Sequence, residues 1–274
     1  MNNEKQAAAG YFVATDGAAY ENFMGRWSSR LAPLFLEFAG IKAGDRVLDV
    51  GCGTGVMTHG AAVLGANTVG FDMSEQYLDY ARIHRSHPNA RYDQGDARSL
   101  PYPDNSFDVA VSTLAIDVVP YAEEIVTEMR RIVRSGGIIA SALHEYRSAF
   151  APSFILLDIA SVLDERGRAL RDYMLSHPLV WPDGQASLWR KLSLSDVREA
   201  PLVVSYDYTS FDDYWGTWLA GQGRVGSYVI SLSEDARVAL REHVRGAYLG
   251  GRPDGPRSFS VIHRAVRGTV PSPT

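Results

Sequence analysis

The chain has 274 residues, is 46% hydrophobic and 22% charged, and is long enough for one large domain with an inserted segment. Its net charge of −5, with no basic run, argues against a nucleic-acid partner, because neutralising phosphates takes concentrated Lys and Arg. The lone Cys52 excludes an internal disulfide or a cysteine-based metal cluster, and no apolar segment approaches the roughly 18–20 residues of a membrane span.

Residues 1–19 are expected to be a mobile N-terminal segment, without the charged-then-apolar order of a signal peptide, so a soluble cytoplasmic protein is expected. Tyr20 to Trp27 leads into a stretch with helical apolar spacing at Leu31, Leu34, Phe35 and Phe38. Arg46 to Gly55 then reads R-V-L-D-V-G-C-G-T-G. Val47, Leu48 and Val50 form a short apolar run suited to a buried parallel strand. Gly51, Gly53 and Gly55 follow at alternate positions, before a helix opening at Val56. Such a turn brings a ligand against main-chain N–H groups without Cβ interference, which marks a nucleotide site. The dinucleotide pattern G-x-G-x-x-G needs glycine at 56, where Val56 stands. Asp49, two residues before the first glycine, suits a cationic or amine-bearing ligand better than a pyrophosphate.

Strands and helices then alternate. Thr68–Phe71 is a strand with Asp72 at its outlet, where a carboxylate can accept both ribose hydroxyls or simply cap the next helix. A helix over 75–85, a strand over 90–94 and the turn Gly95-Asp96-Ala97 come next. Asp96 reads as an adenine partner or as an Asx-turn. A loop over 100–108 feeds a strand over 109–112, whose outlet is Leu114 to Asp117. A helix over 123–133 is expected to end in a glycine cap at 134–137, before a fifth strand over 138–143.

Asp49 to Gly55 resembles the first motif of class I S-adenosylmethionine (SAM)-dependent methyltransferases. Tyr20-Glu21-Asn22-Phe23-Met24-Gly25-Arg26-Trp27, Gly95-Asp96-Ala97 and Leu100 to Asp108 (L-P-Y-P-D-N-S-F-D) resemble segments of the ubiquinone- and menaquinone-biosynthesis-type members of that family. The match runs from Tyr20 to about Leu143. It implies an α/β fold: a doubly wound, seven-stranded, mostly parallel, Rossmann-like sheet with an antiparallel last strand and a helical cover inserted after strand 5. One domain over 20–268 is expected, with 148–198 as crossover helix plus cover and 269–274 as a loose tail. Further strands and helices are expected over 202–208, 211–219, 234–248 and 257–266.

The resemblance implies SAM as cofactor, held by Tyr20, Arg26, Asp49, Gly51, Cys52, Gly53, Gly55, Asp72, Met73, Asp96, Ala97 and Leu114. Arg26 would pair with the SAM carboxylate as a planar fork, or would be a solvated helix residue. The acceptor is expected to be a small, partly apolar or aromatic metabolite, in a pocket drawn from Tyr146, Trp181, Trp189, Tyr214, Trp215 and Trp218. His144 and Asp117 are candidate bases, needed only if the acceptor must lose a proton. His144 could equally be a packed core residue. The remaining histidines show no metal-ligand spacing, so no metal is expected. A SAM-binding protein without methyl transfer and an NAD-linked oxidoreductase are the alternatives. The resemblance implies nothing about oligomeric state.

Overall fold

The computed structural model describes residues 17–146 and 150–272. Its centre is one seven-stranded sheet of β1 (Arg46–Val50), β2 (Asn67–Asp72), β3 (Ala90–Gln94), β4 (Phe107–Thr113), β5 (Val133–His144), β6 (Ser195–Tyr208) and β7 (Arg257–Thr269), in the order β3-β2-β1-β4-β5-β7-β6. β1 pairs in parallel with β2 and β4, β2 with β3, and β4 with β5. β7 runs antiparallel to both β5 and β6, as expected of the last strand.

Strand alternation splits the core. Val47, Val109, Val111, Ala140 and Ala142 face one layer, packed with α2 (Arg26–Ala39) and α3 (Val56–Val63). Leu48, Val50, Ala110, Ile139 and Leu143 face the other, packed with α5 (Ala122–Ile132). Both faces are therefore apolar, as helices on either side of a parallel sheet require. α1 (Gly17–Tyr20) and the π-turn Glu21–Gly25 run directly into α2, and α4 (Glu75–His84) is capped by the Ser74 hydroxyl, which accepts from the Tyr77 amide. Of the expected mobile segment, Gly17 to Ala19 are helical and residues 1–16 lie outside the described residues.

Several boundaries differ from the sequence expectation. The glycine cap after α5 does not form. The helix stops at an extended Val133, and Arg134 to Gly137 already belong to β5, where a register shift opposite Phe107–Val109 accommodates Gly136 at φ 75°. The tail begins later than residue 269: Val270 donates to the Gly137 carbonyl at 2.9 Å, accepts from Gly136 at 2.8 Å and is buried. Strand β6 starts at Ser195, inside the stretch read as cover.

The cover has two sources. One lies between β5 and β6: α6 (Ala151–Leu163), α7 (Glu165–Ser176), a 3₁₀ turn at Pro178–Val180 and α8 (Gly184–Lys191). The second, between β6 and β7, comprises α9 (Phe211–Leu219), α10 (Gly223–Ser231) and α11 (Glu234–Leu249). Residues of α6, α9, α10 and α11 join one apolar cluster with α2. Helix α8 instead packs on the opposite face, with α5. Among the described residues, no helix is long and apolar enough to cross a membrane.

Candidate functional site

The site forms at the carboxyl ends of β1 to β4. Gly51, Gly53 and Gly55 all adopt left-handed backbone, with φ of 71°, 53° and 84°, which is why glycine occupies each place. The amides of this turn are not bare. Gly51 and Cys52 donate to the Phe71 carbonyl at 2.8 and 3.2 Å, Gly53 donates to Asp72 Oδ2 at 2.9 Å, and Gly55 donates to the Cys52 carbonyl at 2.9 Å. The turn therefore offers a ligand a wall without side chains rather than a row of free donors. A Cβ on Gly53 would meet nothing nearer than the Tyr20 ring, at 3.8 Å, and would stand in the open crevice.

That crevice is lined by Tyr20, Gly51, Gly53, Asp72, Met73, Asp96, Ala97 and Leu114, eight of the twelve residues expected to hold the cofactor. Phe71, Ser74, Tyr77, Ile116 and Tyr121 complete much of its wall and were not singled out from the sequence. Asp72 bridges the glycine turn and the next helix, its Oδ1 accepting from Ser74 N at 2.8 Å. Burial raises its carboxyl above the ordinary value, opposed by these amide bonds. Asp96 is half-exposed, accepts from Arg98 Nε at 2.9 Å, and is held below the usual carboxylate range by that guanidinium.

The other four expected cofactor residues lie behind or beside the crevice. Asp49 is 1% exposed. Its Oδ2 accepts from the Thr58 hydroxyl at 2.7 Å and its Oδ1 has no partner. Burial pushes this carboxyl up to about 7. Cys52 packs near Gly70 and Tyr92, and Gly55 sits against Tyr92. Arg26 donates from Nη1 to Asp213 at 3.0 Å and lies over the Trp27 and Tyr208 rings, while its buried Nε and Nη2 have no partner.

Beyond Leu114 a second cavity opens under the cover. Tyr20, Leu114 and Val118 line both spaces. Leu114 itself has φ 55°, an unfavourable backbone for a leucine, and its amide donates to the Ala142 carbonyl at 2.9 Å. The chamber walls include Phe23, Phe150, Met174, Trp218 and Val225, with Asp117, His144, Tyr146, His177 and Arg224 among them.

Of the six aromatic residues expected to line an acceptor pocket, Tyr146 and Trp218 do so. Trp189 is fully buried on the other side of the sheet, its Nε1 donating to the Ile139 carbonyl at 3.1 Å. Trp215 packs on Phe211 within the apolar cluster under the cover, and Trp181 is 41% exposed with Nε1 on the Leu175 carbonyl. Helical spacing of aromatics marked a buried face here, from which Trp218 alone among the tryptophans reaches the chamber.

Both base candidates reach the chamber. His144 Nε2 lies 3.0 Å from the Tyr206 hydroxyl, which in turn lies 3.3 Å from His263 Nε2, and the His144 ring stacks on Phe150. Burial, with His263 beside it, holds the His144 imidazole well below its ordinary value. Asp117 is 5% exposed and accepts from the Tyr146 hydroxyl at 3.1 Å. His177, Tyr173 and Arg224 were missed. His177 carries no motif around it, and Arg224 lies in a glycine-rich stretch outside the expected helices. Among the described residues no group of three or more His, Cys, Asp or Glu could hold a metal ion.

Residues 48–141 match the family described as "Methyltransferase domain". A malonyl-(acyl-carrier protein) O-methyltransferase of Pectobacterium atrosepticum is 36% identical over 144 residues, 52% of this chain and 54% of the relative. The chain thus spans about half the length of this curated relative. Among solved structures, a protein of Anabaena variabilis described as a methyltransferase from an antibiotic biosynthesis pathway superposes with a TM-score of 0.62 at 19% identity, over 88% of this chain and 96% of that one. Phosphoethanolamine N-methyltransferase 2 of Haemonchus contortus, solved with S-adenosyl-L-methionine, gives 0.56 at 19%, over 93% of this chain and 56% of that one.

Proposed function

We propose that the chain is a class I SAM-dependent methyltransferase that binds SAM in the crevice and transfers a methyl group to a small, partly apolar molecule held in the adjoining chamber. The observation carrying this reading is the shared wall: Tyr20, Leu114 and Val118 border both spaces, so two ligands would meet there. The residues present fit the cofactor. Asp72 and Asp96 offer carboxylate oxygens to hydroxyl and amino groups, Met73 and Ala97 offer apolar contact, and Gly53 leaves room for a ligand beneath Tyr20.

When bound, SAM supplies a methyl group on an already activated sulfonium. What this chain must add is position and a water-poor surrounding. Leu114, fixed by the hydrogen bond its amide donates to the Ala142 carbonyl, and the aromatic walls from Phe23, Phe150 and Trp218 exclude water at the junction. Where the acceptor must lose a proton, Asp117 is the better-placed base. It lies in the chamber with one oxygen unpartnered, whereas His144 spends Nε2 on Tyr206.

Calorimetry with S-adenosylhomocysteine and with NAD tests the crevice: binding of the first and not the second is expected, and the reverse overturns the reading. Tritium transfer from methyl-labelled SAM across a panel of small metabolites tests the chemistry. Binding without transfer to any of them would favour a SAM-binding protein that does not methylate.

A further inference from the structure

Two buried polar atoms in the chamber stand without partners. Asp117 Oδ1 has no hydrogen bond, although Oδ2 of the same group accepts from Tyr146. His177 Nδ1 likewise has none. Both residues line the chamber; burial raises the Asp117 carboxyl and lowers the His177 imidazole, and the charge of each partly offsets that shift in the other. Buried polar atoms left unpaired are costly and uncommon, so two of them on residues that line one cavity point to an occupant. The remaining wall is apolar, from Phe23, Leu114, Phe150, Met174, Trp218 and Val225.

The chemistry of the pair narrows that occupant. A carboxylate or phosphate brings no donor for Oδ1. A carbonyl or ether oxygen also lacks the donor. An ammonium brings donors only, and Arg224 works against a further positive charge. That guanidinium is fixed nearby, donating to the Val118 carbonyl at 2.8 Å and lying over the Tyr173 ring. A neutral hydroxyl both donates and accepts, and so satisfies Oδ1 and a protonated Nδ1 together.

We propose that Asp117 Oδ1 and His177 Nδ1 form a hydroxyl-binding subsite that selects, as acceptor, a neutral hydroxylated molecule with an apolar body. This rests on the proposed methyltransferase reading, because it treats the chamber as the acceptor's place. Neither residue lies in the crevice wall, so the two readings can fail separately.

The test uses the full chain saturated with S-adenosylhomocysteine and measures binding of 4-ethylphenol, ethylbenzene and 4-ethylbenzoate by calorimetry. The unmodified protein is expected to bind 4-ethylphenol at least about tenfold more tightly than either analogue, the scale of one charge-assisted hydrogen bond. Asp117→Leu should reduce that preference to about twofold or less, and Asp117→Asn should keep part of it. Should Asp117→Leu not fold, His177→Phe provides the same reading. No preference for the phenol in the unmodified protein, or a preference unchanged in Asp117→Leu and His177→Phe, overturns the subsite. Failure of S-adenosylhomocysteine to bind overturns the cofactor reading instead.

Discussion

The Arg26 guanidinium donates to Asp213 across 3.0 Å and lies over the Trp27 ring, 4.2 Å from its centre. It thereby braces the helix ahead of β1 against the helix that follows β6. Both side chains are partly exposed, at 32% and 24%, so the pair contributes modestly to stability.

Arg26→Ala is therefore expected to lower unfolding stability by about 1 kcal/mol while changing S-adenosylhomocysteine affinity by less than about threefold. Urea melts and calorimetry on the same preparation check both halves. A tenfold loss of affinity would return Arg26 to the cofactor site.

Asp72 contributes twice, once through the oxygens it presents to the crevice and once by holding the Gly53 and Ser74 amides. Asp72→Ala should weaken S-adenosylhomocysteine binding by roughly 1–3 kcal/mol, the cost of a lost charge-assisted hydrogen bond. Asp96→Ala should show a smaller loss, because Arg98 already competes for that carboxylate. Equal affinities in both variants and the unmodified protein would contradict the placement.

Asp49 links stability to pH. Its folded-state value of about 7 lies above the ordinary 3.8, so the native state holds a proton that the unfolded chain has released. The stabilisation is complete below about pH 4 and is lost as pH rises through about 7, a change on the order of 2–4 kcal/mol. Without ligand, unfolding free energy should fall between pH 5 and pH 8, and this fall should be shallower in Asp49→Asn. Denaturant titrations at the two pH values measure it; identical slopes would show that Asp49 does not couple folding to pH.

Trp189→Ala separates core from pocket. The side chain is fully buried beside Ala186 and Leu194, so its loss should cost about 3–5 kcal/mol. Binding in the chamber should persist wherever the variant remains folded, because the sheet stands between them. Loss of 4-ethylphenol binding in a folded Trp189→Ala protein would contradict this placement.

The first five strands and the glycine turn were legible in the residues because each depends on short-range physics. A buried parallel strand demands a run such as Val47, Leu48 and Val50, left-handed backbone demands glycine at 51, 53 and 55, and a strand outlet positions Asp72 and Asp96 within a few residues. What could not be read were relations between distant segments. Nothing near Arg26 announces Asp213, since an arginine's partner is chosen by whichever carboxylate the packing brings within reach. His177 and Arg224 meet Asp117 only because helices inserted after β5 and after β6 close over the same strand ends. The glycine pattern promised a cradle of amides, yet Phe71 and Asp72 had already taken them, because β2 lies beside that turn. Local conformation follows from local side chains. Which polar atoms remain unspent is decided only when the whole chain has folded, because a hydrogen bond made to the protein is no longer available to a ligand.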